Sequence, residues 1–231
     1  TGALIDPASV NIPVSAGWNW IGYVPNYALP VSDALSNLNP LNGDIIKGQT
    51  AFAQYLAGFG WLGSLQFLEA PKGYQLKIGN PGTLTYPPQG NFRENDLTSR
   101  GDDLDQTGYW TVDPTAFEYS MTLVGMFSDT GANITQSGQE LGVFAGNELR
   151  GAAQAIFIEP LQAHLFFLTV YANSSGEPLH FKLFDGATGQ VTELAEQMYF
   201  AANLHQGEIQ APVPFTAETS GVSDVSDSIS L

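Results

Sequence analysis

Apolar and polar positions alternate with a period of two in short runs along most of this chain. Val10, Ile12 and Val14 alternate first, and Trp18 and Trp20 continue the period, which predicts a strand pair turning near Ala16-Gly17. Trp18 and Trp20 then share one face of their strand. Short strands are expected at residues 44–47, 51–56, 61–65, 74–78 and 83–86, with Pro87-Pro88 closing the set. One helix interrupts them. Ser32 or Asp33 can cap it, Leu35 and Leu38 fall on one face, and it must end before Pro40.

A second alternating region starts near Phe117, with Tyr119, Met121 and Leu123 on a half-buried strand. Further strands are expected at 141–144, 149–158, 164–171, 179–184, 191–194 and 198–201. Their regular spacing, punctuated by Gly, Asn, Asp and Ser, predicts a sandwich. Leu165 to Tyr171 is apolar on both faces, the pattern of a central strand. The expected fold is therefore mainly β: a first β module with a short helix over 1–87, an acidic connector over 88–116, and a β-sandwich module over 117–215. Residues 216–231 form a Ser/Asp-rich tail, which Val222, Val225, Ile229 and Leu231 could anchor, docking on a neighbouring molecule.

Charge sharpens the division. Residues 1–87 hold four carboxylates against three lysines, whereas residues 117–215 hold ten against two bases. The whole chain carries −16, which argues against nucleic-acid partners and anionic membrane surfaces. No apolar run is long enough to span a bilayer as a helix, so membrane insertion is not expected. The absence of cysteine removes disulfides, thiolate metal sites and thiol nucleophiles. Starting at Thr1, the chain reads as a mature or excised segment.

Candidate chemistry is sparse. Trp18, Trp20, Tyr23, Trp61 and Tyr74 could form a stacking platform for sugar rings, with Asn and Gln neighbours bonding hydroxyls. The competing reading makes them core, with Trp61 packed on Trp18 and Trp20, because a small module needs bulk to bury. Asp103, Asp105 and Thr107, followed by Gly108, reproduce half of a calcium loop, so calcium is the candidate ion although no cofactor is required. Its bidentate Glu is missing, and Pro114 stands in that place. Asp129, Asn133 and Glu140 are a looser oxygen set. His164, His180 and His205 have no metal-ligand spacing, and no Gly-x-Ser-x-Gly elbow occurs, so no enzyme is expected. Arg150 beside Glu148 reads as a simple ion pair.

The ordered elements Gly17-Trp18-Asn19-Trp20, Gly43-Asp44-Ile45-Ile46-Lys47, Gly60-Trp61-Leu62-Gly63 and Gly73-Tyr74-Gln75-Leu76-Lys77 resemble a β module repeated in large secreted and cell-surface proteins of Bacteroidetes-type bacteria. Leu141 to Gly151, Phe167 to Tyr171 and Phe181 to Asp185 are similar to a β module found beside it; relatives often have cysteine where this chain has Leu149. The resemblance implies extracellular, accessory, non-catalytic modules. The expected function is a structural or adhesive surface protein, assembling with copies of itself or other surface proteins into a filament or layer. The alternatives are a carbohydrate-binding pair, with polysaccharide as partner, and a calcium-stiffened stalk.

Overall fold

Gly17 has a φ of 95°, a conformation that side-chain-bearing residues rarely adopt, and here the chain leaves one sheet for another. A computed structural model describes residues 6–88 and 108–218. In it β1 (Ile12–Val14) pairs with β9 (Gly82–Leu84), while β2 (Gly17–Gly22) pairs with β8 (Gly73–Ile78). The expected β1–β2 hairpin is therefore replaced by two separate pairings. The Asn19 side chain holds this corner, accepting from Ser15 N and donating to the Ser15 carbonyl.

β2 is an edge of a five-stranded antiparallel sheet in the order β2-β8-β4-β5-β6, with β4 at Ile45–Lys47, β5 at Phe52–Leu56 and β6 at Gly60–Gly63. One face of that sheet buries Ile21, Ile46, Tyr74 and Leu76 with Leu29, Leu84 and Tyr86. The helix α1 spans only Val31–Ala34, and its cap position is Pro30, with no side-chain cap. The expected caps Ser32 and Asp33 lie inside it. β3 (Leu29–Pro30) pairs with β7 (Phe67–Leu68) up to Pro30, so the helix starts at the next residue.

The second half is one nine-stranded sheet that curls round its own core. β10 (Tyr119–Asp129) pairs with β11 (Ala132–Asn133) and with β14 (Ala163–Ala172). β12 (Gln139–Ala145) lies between β13 (Glu148–Ile158) and β15 (Pro178–Asp185), and β16 (Gln190–Tyr199) flanks β15. The expected strands 191–194 and 198–201 are both parts of β16. β13 serves both layers: its first part pairs with β12, and Ala155–Ile158 pairs with β14. A strand that passes from one layer to the other is how a single sheet encloses a sandwich-like core. β17 (His205–Gln206) and β18 (Val213–Phe215) add to β10 in parallel. Beyond β18, Ala217 bridges Leu194, and Ala195 N donates to the Thr216 carbonyl. The first residues of the expected tail thus pair with β16 of their own chain; Val222, Val225, Ile229 and Leu231 lie outside the described residues.

The two halves share a third core. Ile45, Phe52 and Leu56 from the first sheet pack with Val124, Leu165, Phe167 and Ile209 from the second half. This explains β14. Phe166, Leu168 and Val170 face the inner core, and Leu165 and Phe167 face the first half. Polar bonds reinforce the seam: Tyr171 Oη donates to the Gln49 carbonyl at 2.7 Å.

The described end of the connector is a strap on the second half. The Glu140 carboxylate accepts from Tyr109 N at 2.7 Å and Trp110 N at 3.0 Å. Tyr109 stacks on Phe184, and Trp110 meets Phe144 edge-on. Trp110 lies so close over Gly142 that a Cβ there would sit 2.7 Å from the indole.

Candidate functional site

Register places three side chains in one lateral row. Trp20 on β2 opposes Gln75 on β8, and Gln75 opposes Lys47 on β4. A second row, Trp18, Lys77 and Ile45, lies beside it on the same face. This face is opposite the first core, because Ile21 and Leu76 point the other way. At β4 and β5 the second half covers it. At β2 no described residue does, and Trp20 is 80% exposed and Trp18 40%.

A cleft of about 500 Å³ opens where the covered part of the face meets the open part. Trp20, Gln75 and Lys47 form one wall, and Phe117, Tyr119 and Asn203 belong to the other. Each half thus supplies one wall. Glu118 is the one carboxylate on the lining among the described residues.

Lys47 is the chemical centre of this cleft. It is buried, 5% exposed, and burial pushes its ammonium down to about 8. Its Nζ lies 5.2 Å from the Trp18 ring centre, a cation–π contact. Its oxygen partners are Ser120 Oγ and Asn203 Oδ1, each at a long 3.4 Å. Among the described residues no carboxylate pairs with it, whereas Lys72, Arg150 and Lys182 all have carboxylate partners. Gln75 Oε1, beside Lys47 in the row, is buried with no donor.

Behind Lys47 lies a polar cluster built on the buried Gln54 and Thr122. Gln54 Oε1 accepts from Ile209 N, so its amide nitrogen faces His205 Nε2 at 3.2 Å and the Glu208 carboxylate. His205 Nε2 must then accept, and Nδ1 carries the proton toward Thr122 Oγ1 at 2.8 Å. Burial, with Lys77 and Lys47 nearby, lowers His205 to about 4.

The five expected platform aromatics do not assemble. Tyr23 and Tyr74 are core residues, 6% and 2% exposed, with Tyr23 edge-on to Tyr86. Trp61 is on β6, at the opposite edge of the sheet from β2, and meets Tyr55 instead. The expected packing of Trp61 on Trp18 and Trp20 is therefore absent. Trp18 and Trp20 remain as an exposed pair, and sequence reasoning missed their partners Lys47, Gln75 and Asn203. The lone Lys in the Ile45-Ile46-Lys47 strand was the available signal: a base inside a buried strand has a reason to be there.

Asp103, Asp105 and Thr107 lie outside the described residues. Asp129 and Asn133 share a hairpin, but Glu140 holds the strap, so that oxygen set is dispersed. Among the described residues no group of three His, Asp or Glu side chains could hold a metal. Arg150 is more than a surface pair: it reaches Glu177 at 2.5 Å and Glu148 at 3.2 Å, under the Phe117 ring. No described helix is long and apolar enough to cross a membrane.

Comparison of the chain with models of protein families, with curated proteins and with solved structures finds no match.

Proposed function

We propose that this chain is a non-catalytic carbohydrate-binding protein whose ligand seats in the cleft between the two halves. The observation that carries the reading is Trp20, an exposed indole in register with Gln75 and Lys47 on one wall. A flat aromatic face covers the C–H surface of a sugar ring, while amide and ammonium groups beside it bond hydroxyls. Asn203 and Ser120 bring the second half into the same site. A glycosidase needs two carboxylates flanking the bond it cuts, and Glu118 alone lines the cleft among the described residues. Pairing of Thr216 and Ala217 with their own β16 also favours a discrete binding unit over a tail lent to a neighbour. A secreted or cell-surface setting accords with this role.

Binding to a panel of soluble oligosaccharides and insoluble polysaccharides tests the reading. Trp20→Ala is expected to lose binding with an unchanged melting temperature, and Trp61→Ala is the control outside the cleft. Unchanged binding by the Trp20 variant, or no binding by the parent to any saccharide, overturns it.

A second reading, self-association into a layer or filament, has its own observation. Phe59 and Phe157, both exposed, line a groove with Trp61 where the end of β13 meets β6 and β7. Sedimentation across a wide concentration range tests it; a strict monomer throughout sinks it.

A further inference from the structure

We infer that the cleft selects saccharides bearing an anionic group, a uronate carboxylate or a sulfate ester, and that Lys47 is the residue that reads it. The inference rests on the carbohydrate-binding reading and narrows its ligand class.

Among the described cations, Lys47 and the solvent-exposed Lys77 have no carboxylate partner. Lys72, Arg150 and Lys182 take one. Lys47 does not, although it is the more deeply buried of the lysines and so gains most from a counter-charge. Its two oxygen neighbours are neutral and long, and an ammonium has three protons to place. A buried cation left in this state costs stability unless something else compensates it. The open direction from Lys47 is the cleft, which it lines.

The neighbouring groups define the rest of the ligand. Gln75 lines the cleft beside Lys47, and its side-chain amide is the group there suited to a ligand hydroxyl. Trp20 offers the stacking face, and Trp18 is turned to the Lys47 ammonium, which it helps to hold in place. Lys77, in the parallel row between Trp18 and Ile45, adds a second positive charge nearby. Glu118, Tyr119 and Tyr171 are the other titratable groups on the lining among the described residues, and the neutral His205 lies behind the wall. A ring stacked on Trp20, with a hydroxyl toward Gln75 and its anionic substituent toward Lys47, satisfies all three at once. Glu118 on the lining opposes an anion at close range, whereas carboxylates farther than about 8 Å are screened at physiological salt.

Calorimetric titration compares a uronic-acid oligosaccharide, its sulfated neutral counterpart and the neutral oligosaccharide of the same linkage. At least one anionic form is expected to bind about tenfold tighter than the neutral one, as a charge-assisted bond in a partly buried site implies. Which one does identifies the source of the charge. Lys47→Met is expected to bring the anionic and neutral forms to equal affinity, and Lys47→Gln gives the same readout should the Met variant fail to fold. Equal affinity for anionic and neutral forms, or an anion preference that survives both variants, overturns the inference and leaves the carbohydrate reading standing. Binding of none of the three overturns both.

Discussion

Phe52 and Phe167 meet across the seam with ring centres 5.4 Å apart, one from each half of the chain, and both are buried. The same residue, Phe52, stands edge-on to His205. Neither half therefore has a complete surface of its own at this place. Phe52→Ala is expected to cost about 3–5 kcal/mol, the usual range for emptying a buried aromatic site. Because the cavity opens in a core common to both halves, the parent protein is expected to unfold in a single transition. Trp61 reports on the first half and Trp110 on the second, so single-tryptophan variants followed by fluorescence would show it. Two separated midpoints would mean that the seam does not couple the halves.

His205 sets an acid limit on that coupling. It is neutral in the fold, with Nε2 accepting from Gln54, and protonation would turn a second N–H against the Gln54 amide. Its folded value near 4 lies below the ordinary histidine value of about 6.5, so the unfolded chain binds the extra proton in between. Stability contributed by neutral His205 is present above about 6.5 and falls as pH drops toward 4, by on the order of 3 kcal/mol. His205→Asn is expected to flatten the denaturant midpoint across this window. A parent midpoint that does not fall between these pH values would contradict the buried neutral imidazole.

Lys47 works in the opposite pH range. Its folded value near 8 lies below the free lysine value, so between about 8 and 10.5 the unfolded chain holds the proton more firmly. The Lys47 part of stability therefore rises with pH across that interval. Lys47→Met removes a buried unpaired charge and is expected to raise the melting temperature at pH 7, by an amount worth about 1–3 kcal/mol. It should also abolish the alkaline rise. A destabilised Met variant would show that the contacts to Ser120 and Asn203 outweigh the desolvation of the ammonium.

Particular residues show how far the sequence carries this picture. Leu165 to Tyr171 reads as a central strand because it is apolar on both faces, and the structure supplies both reasons: one core inside the curled sheet and one at the seam. Trp18 and Trp20 read correctly as sharing a face, but alternation cannot say which face is inward. The answer lay with Asn19, whose amide is spent on the Ser15 and Gly17 carbonyls at the corner, and with Ile21 beside it. The partners of Lys47, Ser120 and Asn203, are remote in sequence and arrive on β10 and just before β17. Strands as short as β17 and β18, paired in parallel to β10, have too few residues to show any period. The site was therefore visible as two indoles and invisible as a cleft.

Glu140 is the anchor of the strap. Its two oxygens take the amides of Tyr109 and Trp110, and a Cβ on Gly108 would sit 2.7 Å from the carboxylate. Burial raises its proton affinity, and the two N–H bonds only partly offset this. The folded chain therefore holds that proton more firmly than the unfolded one. The corresponding stability is present in acid and is lost as pH rises through the raised folded value. Glu140→Ala leaves two half-buried N–H groups without their acceptor, at about 1 kcal/mol each. The indole of Trp110, wedged against Gly142, Phe144 and Phe184, is then expected to move into water. Its fluorescence should shift to the red, and the amides of residues 109 and 110 should exchange faster. Glu140→Gln, which keeps one good acceptor, should fall between the two. Unchanged Trp110 emission in the Ala variant would mean that the aromatic contacts hold the strap without the carboxylate.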